Sequence, residues 1–400
     1  MQSGKLKVGY FVPEFPGQTH GFFWREIKHL EALGANVRII SSSRPNGTAE
    51  HAFTAVAKSR TRYLIDFRLR EAFLWLRTAA LVALLLARGV TPRLTDAGEK
   101  RLKVVMLVVF AARLKLICDA EGIHHVHGHS CADVAYLLAL SKIAGGPDYS
   151  LSLHGDLTVY GSGHDFKFAG AKFVACVTEA LCRQIKDEVK AWPGEPKLIR
   201  MGIEPPGAEN LRTWSPASAL KLVTVSRLNP MKGHKHAIAA VRALVDEGLD
   251  ITYDIIGEGE YQAEIQQQIV DAKLEKQVRL VGPVANDAVV SRLMKYDAFL
   301  LPSVGLGEAA PVAVMEAMSV GMPVVCSVIG GTPEMIVHGH TGFLFPQADV
   351  DAMASIIREL ALEPELRDRI GRSGREHALN NFLSSVSASK LFDLIACPAS

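Results

Sequence analysis

Paired cysteines, long apolar runs and a surplus of charge are all missing from this chain. Six cysteines occur in 400 residues (Cys118, Cys131, Cys176, Cys182, Cys326 and Cys397), with no C-x-x-C pair and no zinc-ribbon spacing. That argues against a disulfide framework and against a cysteine-ligated zinc module. No basic segment followed by an apolar core opens the chain, and "MQSGKLKVGYFV" runs straight into a strand-like stretch. Free thiols in a cytoplasmic protein are therefore expected. A spanning helix needs about 20 predominantly apolar residues. In "EAFLWLRTAALVALLLARG" the uncharged run Thr78 to Ala87 has only ten, and "KVVMLVVFAARLKLI" carries Arg113 and Lys115 near its end. Both stretches are expected as buried or groove-lining helices. Their apolar parts, Phe73 to Ala87 and Val104 to Phe110, offer peripheral contact with the inner face of a membrane as the alternative. A net charge of +2 argues against a dedicated nucleic-acid binder.

What is present is alternation. Four hundred residues exceed what one hydrophobic core usually serves, so two domains are expected. Short apolar strands alternate with helical patterns, which predicts parallel α/β sheets. "KVGYFV" reads as the first strand, "FFWREIKHLEALG" as a helix stopped by Gly34, and "NVRIISS" as the second strand. "HHVHGHS", "YSLSLHG" and "KFVACVT" continue the first half. "IEPPGAENLRTWSPAS" has three prolines and little periodicity, the mark of a linker. A second alternation starts at "LKLVTVS". The expected boundaries are a first domain over 1–205, a linker over 206–218, a second domain over 219–378 and a returning helix over 379–400. Ligands of doubly wound sheets bind beyond the carboxyl ends of strands, so the residues just after each strand are the candidates.

After "LVTVS", Arg227 and Lys232 place two cations on a strand-to-helix turn, a fork and a point charge suited to phosphate oxygens. Gly233 would let backbone approach closely. Gly257 and Gly259 in "DIIGEGEY" read as turn chemistry, because Glu258 and Glu260 would repel phosphate. In "GEAAPVAVMEAM", Pro311 belongs at the first helical position, with Glu308 in the preceding loop and Glu316 about a turn and a half inside. Two readings compete. Either one glutamate caps the helix and the other faces solvent, or both reach one ligand beside a helix N-terminus that attracts anions. A nucleotide sugar offers a diphosphate for the N–H groups and hydroxyls for the carboxylates.

The run "EAAPVAVMEAM", then "GMPVV", "GGTPEMI" and "GHTGFLF", resembles the E-x7-E region of family-4 retaining glycosyltransferases of the GT-B fold. "VSRLNPMKGH" resembles their phosphate-binding Arg-x4-Lys turn. The resemblance covers most of residues 220–362 and continues in "LSLHGD" and "FVACVTEALCRQI". It implies an α/β, GT-B architecture of two doubly wound Rossmann-like domains facing a central cleft. It also implies a nucleotide diphosphate sugar as donor and a saccharide or lipid-linked saccharide as acceptor. By this resemblance Glu316 binds the donor ribose, and Glu308 contacts the transferred sugar alongside the backbone of Ala309, Ala310, Pro311 and Val312, with the N–H groups there. Pro311 itself has no N–H to offer. Arg227 and Lys232 neutralise the diphosphate, and the base lies near Gly282 and Pro283. His154 matches a histidine at the family's catalytic centre. The first turn, "PEFPGQTHGFFWREI", has Gly17 alone where many relatives carry two glycines. It is similar to that of bacterial exopolysaccharide transferases. "RMGIEP" replaces the family's Asn-Gly-Val-Asp turn.

His20, His127, His129 and Asp156 are expected on the acceptor side. His125, His127 and His129 alternate along one strand and would share a face, as three zinc ligands could. No H-E-x-x-H or carboxylate cluster accompanies them in the sequence, so no metal is expected. Asp349-Val-Asp351 fits the first turn of a helix better than a metal-nucleotide site. No cofactor is expected, since cations and a helix dipole would serve the leaving phosphate. The competing classes are a zinc hydrolase, a non-catalytic nucleotide-sugar sensor and a nucleotide-sugar 2-epimerase.

Overall fold

Two all-parallel sheets form the core of the computed structural model, which describes residues 6–17, 20–45, 51–66, 72–87, 101–207, 219–306 and 308–397. The linker expected over 206–218 lies almost wholly outside these residues, as does Gly307. The chain divides into two compact units, Met1–Arg200 with Ser384–Ser400, and Met201–Leu383.

In the first unit the strands are β1 (Lys7–Glu14), β2 (Asn36–Ser43), β3 (Thr61–Tyr63), β4 (His125–His129), β5 (Asp148–Leu153), β6 (Ala171–Cys176) and β7 (Lys197–Leu198). Their spatial order is β3-β2-β1-β4-β5-β6-β7. Helices cover both faces, so the strands are almost continuously apolar: Val8, Tyr10, Phe11 and Val12 of β1 are all buried. The helix Gly21–Ala32 buries Phe23, Ile27 and Leu30, a helical stripe, and ends before Gly34 at φ +101°. The C-terminal helix Ser384–Ala396 belongs to this unit and adds Leu391 and Ile395 to the same cluster.

The second unit holds β8 (Leu220–Val225), β9 (Ile251–Ile256), β10 (Val278–Gly282), β11 (Ala298–Leu301), β12 (Val324–Ser327) and β13 (Phe343–Phe345), in the order β10-β9-β8-β11-β12-β13. Both sheets thus reverse direction once, between β1 and β4 and between β8 and β11. These are the places where open α/β sheets bind ligands, at the carboxyl ends of the strands.

Asp349 caps the helix Val350–Leu362, its carboxylate accepting from the Ala352 N–H at 2.9 Å, so the Asp349–Asp351 pair is helix-start chemistry. Pro311 needs a correction. It sits one position before the helix Val312–Ser319, with φ −67° and ψ 107°, because its extended ψ sets the entry angle of the loop. The two apolar helices, Ala72–Ala87 and Arg101–Glu121, are buried on one side only. Val104, Val108 and Ala111 are buried, whereas Leu76, Leu102 and Met106 are exposed. Among the described residues no helix is long and apolar enough to cross a membrane.

Candidate active site

The carboxyl ends of β8 and β11 carry the two loops that hold Arg227, Lys232 and Glu308. After β8 the chain makes a short turn, Pro230–Lys232, and leaves it through Gly233 at φ +66°. A Cβ on Gly233 would stand 1.8 Å from the Pro302 carbonyl oxygen, so only glycine lets this turn lie against the end of β11. The Val304 N–H donates to the Met231 carbonyl at 2.8 Å and ties the two loops together.

This apposition brings Lys232 onto Glu308. The ammonium pairs with the carboxylate, and Ser303 Oγ donates to the same oxygen, Oε1, at 2.9 Å. Ser303 is buried and in turn accepts, through its carbonyl, from Ser327 Oγ at 2.6 Å. Glu308 is also held from behind: a Cβ on Gly330 would stand 1.9 Å from its carbonyl oxygen. The first of the two readings of the glutamates therefore fails. Glu308 is engaged with Lys232, and among the described residues no side chain caps the helix Val312–Ser319. Glu316 lies inside that helix at 4% exposure rather than facing water. Ala309 and Pro311 are buried and Ala310 and Val312 half-buried, so the helix start is an enclosed, uncapped end. Arg227 is exposed on the turn after β8.

Gly257 and Gly259 act structurally. Side chains there would strike the carbonyls of Ser226 and Leu228, at 1.8 and 2.2 Å. The Gly257 N–H donates to Gly282 O at 3.0 Å, which links the end of β10 to the turn after β9. Gly282 has φ +86°, and Pro283 after it is exposed. His234, at the start of the helix after Gly233, is buried, and burial pulls its pKa down to about 4.

In the first unit, β4 and β5 are in register so that His127 lies beside Ser150 and His129 beside Ser152. Alternation puts His125, His127 and His129 on one face. His125 Nε2 and His127 Nδ1 each lie 2.8 Å from Ser150 Oγ, and His127 Nε2 lies 2.9 Å from Ser152 Oγ. This corrects the acceptor-side expectation for two residues. His127 is 0% and His129 1% exposed, because the helix Gly21–Ala32 covers that face. His129 instead backs His154: its Nδ1 is 2.9 Å from His154 Nε2. His154 follows β5 and is half-buried, and its backbone N–H donates to Tyr160 Oη at 3.0 Å. Burial lowers His125 to about 4 and both His129 and His154 to about 3, so all three are neutral imidazoles.

A carboxylate absent from the strand motif arrives from elsewhere. Glu26, on the helix Gly21–Ala32, places Oε1 3.2 Å from His129 Nε2 and accepts from Tyr10 Oη at 2.8 Å. Ligand atoms of Glu26, His127 and His129 all lie within 4.8 Å of one another. His20 stacks on Phe15 and meets Phe23 edge-on. Gly17 accepts the His20 N–H at 3.1 Å, and Asp156 is half-buried ahead of the turn Leu157–Tyr160. Glu26, Tyr10, Ser150, Ser152 and Ser303 were not singled out from sequence. For Ser150 and Ser152 the signal is available, since period-2 polar residues in a buried strand need partners. For Glu26 there is none, because it reads as one more charge on an amphipathic helix.

Similarity to known proteins bears on this arrangement. A family model described as glycosyl transferases group 1 matches residues 215–377. Over 373 residues the chain is 30% identical to the amylovoran biosynthesis glycosyltransferase AmsK of Erwinia amylovora, covering 89% of this chain and 91% of that one. It is 26% identical over 409 residues to the putative colanic acid biosynthesis glycosyltransferase WcaL of Salmonella typhimurium, covering 95% and 99%. Among solved structures, Anabaena Alr3699/HepE in complex with UDP and glucose shares the fold, with a TM-score of 0.73 at 17% identity, over 98% of this chain and all of that one.

Proposed function

The chain belongs to the glycosyl transferases group 1 family, and we propose that it transfers a sugar, with retention, from a nucleotide diphosphate sugar to a saccharide or lipid-linked saccharide in bacterial surface-polysaccharide synthesis. The observation that carries the donor half of this reading is the Lys232–Glu308 pair at the carboxyl end of β11, beside the uncapped helix start at Val312. A carboxylate alone there would repel a diphosphate. Paired with Lys232, it becomes an exchange site. The diphosphate oxygens take the ammonium with Arg227, and the released Glu308 accepts from a hydroxyl of the transferred sugar. The N–H groups behind Pro311 face the remaining negative charge, and Glu316 accepts from the ribose.

As the glycosidic bond breaks, negative charge grows on the leaving phosphate, and Lys232, Arg227 and the helix N-terminus are the groups in place to stabilise it. They make a metal unnecessary for that step. His154 contacts the transferred sugar, with His20 and Asp156 on the acceptor side. The exposed Leu76, Leu102 and Met106 suit a lipid-linked acceptor at a membrane surface.

The test is thermal stability in a panel of UDP-, GDP- and other nucleotide diphosphate sugars, for wild type and Glu316→Ala side by side. At about 100 times its dissociation constant, the true donor stabilises by about 2.7 kcal/mol. One donor should shift wild type and leave Glu316→Ala unmoved. A panel in which nothing shifts wild type removes the donor reading altogether.

A further inference from the structure

Behind His154 stands a row of side chains that donor binding does not call on. Tyr10 Oη donates to Glu26 Oε1 at 2.8 Å, that oxygen lies 3.2 Å from His129 Nε2, and His129 Nδ1 lies 2.9 Å from His154 Nε2. We propose that Glu26 and His129 are positioning residues that hold His154 in one orientation and one neutral tautomer. In that tautomer His154 carries its proton on Nε2 and presents Nδ1 as an acceptor. The inference rests on the role given to His154 at the transferred sugar, and deepens it.

Counting protons fixes the direction of the row. Glu26, as a carboxylate, has none to give and already accepts from Tyr10. Were His129 Nε2 unprotonated, its lone pair would face that oxygen at 3.2 Å, which is repulsive. His129 therefore carries its single proton on Nε2. The contact acts by charge and proximity, because no acceptor is aligned with that N–H for a regular hydrogen bond. A neutral imidazole has one N–H, so His129 Nδ1 accepts, and the partner at 2.9 Å must donate: His154 Nε2–H. Nδ1 is then the nitrogen of His154 that carries no proton.

The rings are also fixed mechanically. His129 and His154 are stacked at 5.3 Å with 15° between their planes, and Phe23 meets both edge-on, at 4.7 and 5.7 Å. Phe22 closes in on His154 at 5.3 Å. His127 is outside the row, since both its nitrogens are taken by Ser150 and Ser152. The same fact weighs against a metal ion among Glu26, His127 and His129, which would have to displace a serine from a buried ring.

The test uses the full chain with 15N-labelled histidine. NMR reads the His154 tautomer, its signals assigned by their loss in His154→Ala. Wild type should show the Nε2–H form alone. Glu26→Ala and His129→Ala should show a mixture, and Glu26→Gln, which keeps an acceptor oxygen, should restore the wild-type signal. In parallel, nucleoside diphosphate release is measured with whichever UDP- or GDP-sugar gives the largest thermal shift. The two alanine variants should lose about 10- to 100-fold in kcat, the scale seen when the partner that orients a metal-bound histidine is removed, with donor KM within about twofold. In a His154→Ala background Glu26→Ala should cost nothing more. An unchanged His154 tautomer in Glu26→Ala overturns the proposal, as do zinc-induced shifts of the His127 and His129 rings in wild type. Full turnover by His154→Ala would instead defeat the role of His154 at the sugar, with the tautomer result still deciding the row behind it.

Discussion

At the scale of single residues, the buried histidines set how the protein responds to acid. Burial lowers His125 and His234 to about 4 and His129 to about 3, below the ordinary value near 6.5. In the unfolded chain each takes up a proton as pH falls through about 6.5, while in the folded protein it does not until pH 3 to 4. Stability is therefore full above about 6.5 and lost progressively below it, by up to about 1.4 kcal/mol per pH unit for each such histidine. The melting temperature should fall steeply between pH 6.5 and 4.5. His125→Gln should flatten that slope, and a profile level down to pH 4.5 would contradict the burial argument. That these histidines share a strand face was legible in "HHVHGHS". That they lie under a helix was not, because nothing local says that the helix Gly21–Ala32, far earlier in the chain, will cover that face.

At the scale of elements, the loop from Ser303 to Pro311 owes its shape to glycines on its neighbours. Gly233 admits Pro302, and Gly330, at φ +50°, admits the Glu308 carbonyl. Alanine at 330 is strained by its φ and strikes that carbonyl, so the loop must move. Gly330→Ala should cost about 1–3 kcal/mol of stability. It should also weaken donor binding by more than tenfold in a thermal-shift titration, because Glu308 moves with its backbone. Retained donor affinity in a folded Gly330→Ala protein would show that Glu308 does not need this support. The strands and the helices of the second unit were legible as runs of apolar residues between turns. The contact of Gly330 with Glu308 was not, since 22 positions of chain separate them and only the β11–β12 pairing closes the gap.

At the scale of the whole molecule, the last helix ties the chain's end to its beginning. Leu391 is fully buried and Ile395 nearly so, in one cluster with Ile27 and Leu30, and Ser384–Ala396 belongs to the first unit while the chain just before it belongs to the second. Deleting residues 384–400 removes the large buried side chains Leu391 and Ile395, worth about 3 kcal/mol or more. The truncated protein should show the first unit melting earlier, as a separate transition, with the donor-induced shift of the second unit kept. A single unshifted transition would argue that the helix adds nothing. By itself the sequence determined what is local or periodic: parallel α/β alternation, the cap at Asp349, the strand-end cations and the spacing of Glu308 and Glu316. Only the tertiary structure decided the partners, namely Lys232 for Glu308, Glu26 for His129 and His129 for His154. Pairing across a sheet depends on strand order and register, and those are settled by how all the helices cover both faces, which no short stretch of chain encodes.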